Sequence, residues 1–299
     1  MNGLHPDLEN LQILNTGYSV DNLHRFTRLR KLRISADISA DVLVECCKAN
    51  PDLEIINLLG STIYGKLADI VPYCNKLLDL SITLKANAVE YVHLAKLPHL
   101  KYLRLNGQHD IGSLQQVFRA FASNESQILK WLYVEPLINF DETKELIGIR
   151  SLSKLEYSYN DIRSLVALSQ LNNLRTLQVK NTHSFPYQPV AGNEIIEAFL
   201  IILQRCRKLE VFFLHWYIKK HFISNVGELL KKVRDPETQL SLKLIGYENT
   251  KFITEKDKKM WKKLYGKYMR VILANRSNFE DKTESETPPS PPPADLYYG

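Results

Sequence analysis

The chain has 299 residues, 44% apolar and 24% charged, a globular balance that excludes wholesale disorder. Its longest uninterrupted apolar run, Ala198 to Leu203, is six residues, far short of the ~20 that span a bilayer. The formal net charge of +6 is concentrated near the C-terminus: Lys251 to Arg276 holds nine Lys/Arg against two acids. Residues 277 to 299 hold five acids against Lys282, so residues 1 to 250 are nearly neutral and lack the face-wide basic balance of a nucleic-acid footprint.

The opening MNGLHPDLENLQ has neither a basic start nor an apolar core, so no secretory signal is expected. Four cysteines, two of them adjacent (Cys46, Cys47), do not make a disulfide framework. These features point to a soluble protein of a reducing compartment, cytoplasmic or nuclear.

The phrase L-x-x-L-x-L returns along the chain. Its copies are Leu8, Leu11, Ile13; Leu29, Leu32, Ile34; Leu53, Ile56, Leu58; and Leu77, Leu80, Ile82. They continue as Leu100, Leu103, Leu105; Leu129, Leu132, Val134; Leu174, Leu177, Val179; and Leu209, Phe212, Leu214. First leucines are spaced 21, 24, 24, 23 and 29 residues apart through Leu129, and a degenerate copy is placed at Leu155. This is the leucine-rich-repeat period, a short strand followed by a return segment. Alternation turns the two last apolar positions inward and their neighbours outward. Ser39, Ser113, Asn193 and Ser224 stand ahead of apolar residues at helical spacing, the pattern of an N-cap. Cys74 and Cys206 each precede a first leucine by three residues, a position for a small buried hydrophobe.

ISADVLVECCKANPDLEIINL from Ile38, CNKLLDLSI from Cys74 and RCRKLEVFFL from Arg205 resemble the cysteine-containing repeats of F-box/leucine-rich-repeat proteins. The resemblance covers roughly residues 5 to 250. It implies repeats that recruit a substrate and, in that family, a preceding helical F-box that docks a ubiquitin-ligase core. Here the first repeat is entered by Leu8, so no F-box is expected ahead of it. Either the adaptor role is absent, or the chain is a truncated form that binds without ubiquitylating.

Catalytic motifs are weak. GSTIYGKL, Gly60 to Leu67, follows a strand-like run and matches the phosphate-binding loop except at Leu67, which replaces the magnesium-ligating hydroxyl. No G-x-S-x-G or H-E-x-x-H occurs, and His215 and His221 lack ligand spacing. No catalytic residue, cofactor or metal is expected.

The outward strand positions carry the functional expectation. Early repeats place Gln12, Arg33, Asn57 and Ser81 there; later ones place Tyr102, Arg104, Trp131, Tyr133, Tyr157, Tyr159, Phe213 and His215. Aromatic residues on a surface are the usual anchors of a protein interface. Residues 251 to 276 read as one basic amphipathic helix capped by Thr254, with Trp261, Leu264, Tyr265, Tyr268, Ile272 and Leu273 on one face. Such a helix suits the open end of a solenoid. Residues 277 to 299, acidic and rich in proline from Pro288 to Pro293, read as a disordered tail with proline-directed Thr287 and Ser290.

The expected architecture is an α/β leucine-rich-repeat solenoid, a horseshoe with a parallel concave sheet and helical return segments over residues 1 to 250. The expected function is non-catalytic protein recognition through the concave face, substrate-receptor-like, with ubiquitin-ligase association as one route. The alternative is binding of nucleic acid or anionic membrane through the basic helix, which added salt would weaken steeply.

Overall fold

The computed structural model describes residues 7–14, 20–159, 161–181, 191–245 and 253–274. Its strands follow the repeat: β1 (Asn10–Ile13), β2 (Lys31–Ile34), β3 (Ile38–Ser39), β4 (Ile55–Leu58), β5 (Ile63–Tyr64), β6 (Asp79–Thr83) and β7 (Tyr102–Asn106). They continue as β8 (Trp131–Val134), β9 (Lys154–Tyr159), β10 (Thr176–Asn181), β11 (Val211–Leu214), β12 (Leu240–Ile245) and β13 (Met269–Ala274). All but β3 and β5 join one eleven-stranded sheet in chain order, every pairing parallel. The short β3 and β5 pair with each other beside it. The protein is a leucine-rich-repeat solenoid of the α/β class.

The register explains why the repeat demands leucine. Leu11, Leu32, Ile56, Leu80, Leu103 and Leu132 stand side by side through successive strands, and Leu155, Leu177, Phe212, Leu242 and Val271 continue the row. Burying each such side chain contributes about 1.5–3 kcal/mol. A single repeat cannot bury both flanks of its row, so stacking is what closes the core.

The return segments form the second wall. They are α1 (Ala40–Ala49), α2 (Gln115–Ser123), α3 (Phe140–Leu146), α4 (Ile162–Leu168), α5 (Asn193–Arg205), α6 (Lys220–Val233) and α7 (Glu255–Tyr265), with 3-10 turns at Leu23–Arg25, Leu67–Tyr73 and Ala88–Lys96. Of the four expected caps only Ser39 acts as one, its Oγ accepting from Val42 N at 3.2 Å. Helix α5 begins at Asn193 itself, after Gly192, and α6 begins four residues before Ser224. At α2 the carboxylate of Glu142, from the next repeat, accepts from Gly112 N and Leu114 N at 2.9 and 3.0 Å. That cap crosses between repeats, so no local motif announces it.

Cys74 and Cys206 are buried as expected. Asn50 occupies the same repeat position and shows what the position does. Its side chain accepts from Leu29 N at 2.6 Å and donates to Phe26 O and Cys46 O at 2.7 and 2.8 Å, tying one repeat to the one before.

Two expectations are corrected. The degenerate repeat is read three residues too late: Leu155 pairs with Leu132 and Leu177, and Tyr157 with Val134 and Val179. Leu152, Leu155 and Tyr157 are therefore the L-x-x-L-x-L triad, all buried. The C-terminal basic segment is a helix and then a strand, because α7 ends at Tyr265 and β13 adds the eleventh strand against β12. Thr254 does cap α7, in a reciprocal box with Asp257, and Trp261 and Tyr265 are buried, but Leu264 is exposed. Ile272 and Leu273 belong to the strand. The acidic proline-rich segment 277 to 299 lies outside the described residues.

Candidate protein-binding face

Helices cover one side of the sheet, and the outward strand positions line the other. Register places Asp79, Tyr102, Trp131 and Lys154 in one transverse row. Ser81, Arg104, Tyr133, Glu156, Gln178, Phe213 and Lys243 form the next. Neighbouring strands lie about 4.8 Å apart, so Tyr102, Arg104, Trp131 and Tyr133 make one contiguous cluster.

The cluster is bound together by rings and cations. Tyr102 meets Trp131 edge to face with centroids 6.1 Å apart. The Arg104 guanidinium sits 5.2 Å from the Trp131 ring and 5.4 Å from the Tyr133 ring. Lys154 Nζ stands 4.3 Å over Trp131, and Lys180 Nζ 4.4 Å over Tyr133, while the same ammonium donates to the Tyr133 hydroxyl at 3.3 Å. The rings are therefore half-buried under cationic side chains instead of standing bare in solvent. Burial pushes the Tyr133 phenol well above its ordinary range, with Glu135 and Glu156 adding to the shift. Asp79, at the edge, has its carboxyl pushed up to about 6 by burial, against the opposing pull of Arg104.

Further along, Phe213 faces the same side but is covered, with Lys243 Nζ 4.5 Å over its ring. His215 Nε2 lies 3.1 Å from Gln178 Nε2. Tyr157 does not belong to this face: it is a core residue, because the three-residue shift in register reverses its direction. Tyr159 closes β9 paired with Asn181, and its side chain lies outside the described residues.

Sequence reading missed Asp79, Lys154, Glu156, Lys180 and Lys243. The corrected triad at Leu152 would have placed Lys154 and Glu156 outward, beside Trp131 and Tyr133. Counting paired strand positions, Lys31, Arg33, Arg104, Lys154, Lys180, Lys243 and Arg270 face outward against only Asp79 and Glu156. Glu156 is held between Lys154 at 3.2 Å and Lys180 at 4.0 Å.

The phosphate-loop lookalike is occupied with folding. Gly60 and Gly65 adopt φ of 80° and 89°, which glycine reaches without steric penalty. Gly60 N donates to Thr83 Oγ1 at 2.9 Å, Ser61 N to Leu58 O at 3.1 Å and Thr62 N to Asp37 Oδ1 at 3.2 Å. The amides that would cradle a phosphate are thus committed within the solenoid. Among the described residues no three His, Cys, Asp or Glu side chains converge at metal-binding range. No described helix is long and apolar enough to cross a membrane. A groove of about 790 Å³ beside α7 and β13 is lined by Lys258, Trp261, Lys263, Lys267, Tyr268 and Arg270, among others.

No protein-family model and no curated protein matches the chain. Among solved structures, an internalin of Listeria monocytogenes is similar at 13% identity and a TM-score of 0.44, over 86% of this chain and 72% of that one. A leucine-rich-repeat protein of Leptospira interrogans is similar at 15% identity and a TM-score of 0.41, over 89% of this chain and 75% of that one. The repeat assignment stands on the eleven-strand register itself.

Proposed function

We propose that the protein is a non-catalytic recognition scaffold that holds a protein partner on the helix-free, concave face of its sheet. The carrying observation is the contiguous cluster of Tyr102, Arg104, Trp131 and Tyr133. Aromatic and arginine side chains gathered in one patch are the residue types that dominate interface energetics. The finer reading is substrate-receptor-like, in line with the F-box/leucine-rich-repeat resemblance of its cysteine-bearing repeats. A reducing compartment, cytoplasm or nucleus, is part of the same proposal; the four cysteines are buried at core positions of the repeats.

The test is affinity capture with the wild-type chain and with Trp131→Ala and Tyr133→Ala. Each substitution should weaken the captured partner about tenfold or more and leave melting nearly unchanged. Variants that melt much lower, yet bind normally once folded, would overturn the reading. Ubiquitin-ligase subunits co-purifying with the wild type would support the receptor role; a partner set without them would remove it.

A further inference from the structure

We infer that this face recognises an acidic polypeptide segment, and that Arg104 is the residue that reads its carboxylate. The inference rests on the recognition reading above and adds the chemistry of the partner.

Three observations carry it. First, among the described residues the Arg104 guanidinium makes no hydrogen bond and no ion pair. Its Nε is buried without a partner. Contact with two rings of the neighbouring strand restricts where the Arg104 guanidinium can sit. A planar fork of that kind suits two parallel bonds to a carboxylate. Second, Trp131 Nε1 and Asn106 Oδ1 are buried and unpartnered in the same two strands. Third, seven outward cations face Asp79 and Glu156 across the paired strands, and Glu135, just past β8, adds a third carboxylate beside Tyr133. Glu156 already lies between Lys154 and Lys180. The excess of cationic side chains along the face is complementary to an acidic chain.

A nucleic acid fits less well. Its backbone carries a charge at every step and needs a continuous basic track. Here Glu156 interrupts the cationic positions at their centre, one strand from Tyr133. A peptide can space its acids around that carboxylate.

The experiment selects binders from a random peptide library displayed on phage against the full-length chain. Selected peptides are then titrated against wild type, Arg104→Ala, Arg104→Lys, Trp131→Ala and Tyr133→Ala, with an oligo-uridine RNA as comparison. Peptides enriched in Asp and Glu should emerge and lose about tenfold or more in affinity with Arg104→Ala. Arg104→Lys should restore only part of that loss, because a point charge cannot form the fork. Melting curves for both Arg104 variants should stay close to wild type, losing only the ring contacts. Peptides that need Trp131 and Tyr133, carry no acidic excess and ignore Arg104→Ala would overturn the inference and leave the recognition face standing. Peptides indifferent to all four substitutions would overturn both. RNA that binds more tightly than any selected peptide, and is lost with Arg104→Ala, would overturn the acidic-peptide assignment in favour of nucleic acid.

Discussion

The outward positions of β1, β2, β4 and β6 and those of β7 to β10 sit on the same sheet, over the same inward leucine rows, yet use their polar atoms differently. In the first group they serve the fold. Asn57 Oδ1 accepts from Leu59 N at 3.1 Å, and Thr83 Oγ1 accepts from Gly60 N at 2.9 Å. Ser35, just past β2, donates its hydroxyl to Leu59 O at 3.3 Å. In the second group the polar atoms of β9 and β10 are paired, Gln178 with His215 and Lys180 with the Tyr133 hydroxyl, but on β7 and β8 Arg104 Nε, Asn106 Oδ1 and Trp131 Nε1 are buried with no partner. The contrast is sharpest between neighbours: Thr83 and Asn106 are paired in register, one closing a turn and the other left open. A buried polar group without a partner costs about 1–3 kcal/mol; Ser164 Oγ of α4 and Trp261 Nε1 of α7 are buried in the same way away from this face.

Substitutions on the two sides of the sheet should have unequal effects. The largest effect belongs to the boundary between the inward and outward sets. Tyr157→Ala empties a fully buried site and should destabilise by about 3–5 kcal/mol in urea unfolding. Tyr133→Ala, on the adjacent strand, should cost far less. Similar costs for the two would mean that they share a face.

Next is the packing of the last repeat. A Cβ at Gly227 of α6 would lie 2.5 Å from the Tyr265 ring of α7, so Gly227→Ala forces that ring aside. Overpacking of this kind should cost about 1–3 kcal/mol. A variant with unchanged melting would show that α7 and β13 do not contribute to the cooperative core.

Asp79 gives a pH signature. Its carboxyl, near 4 when unperturbed, is pushed up to about 6 by burial in the folded state. The folded protein therefore holds that proton more tightly than the unfolded chain, and stability falls as pH rises from about 4 to about 6, then levels off. Asp79→Asn should remove this decline and raise stability at pH 7 by about 1–2 kcal/mol. Parallel stability–pH curves for the two proteins would rule the effect out.

The smallest effect on stability should come from the residue with the largest expected role in binding. Arg104→Ala breaks no hydrogen bond or ion pair but removes two cation–π contacts, so unfolding should change by about 1 kcal/mol or less. A much larger loss would make Arg104 a structural residue packed on its rings.

Leucine spacing alone was enough to determine the inward rows, the strand sites from Leu11 through Val134, and the outward placement of Tyr102, Arg104, Trp131 and Tyr133. The reason is that burial imposes an apolar side chain at every inward position of a period-two strand. Three features were decided only by the tertiary structure. In LSKLEYSY, Leu152 and Leu155 are three residues apart, so either can begin the repeat, and only pairing with β8 and β10 selects Leu152. The run MRVILA satisfies helix and strand patterns alike at six residues, and the open edge of β12 draws it into the sheet. The cations over Trp131 and Tyr133 come from Lys154 and Lys180, one and two strands further along. Contacts between repeats depend on how the repeats stack, and no local pattern encodes that.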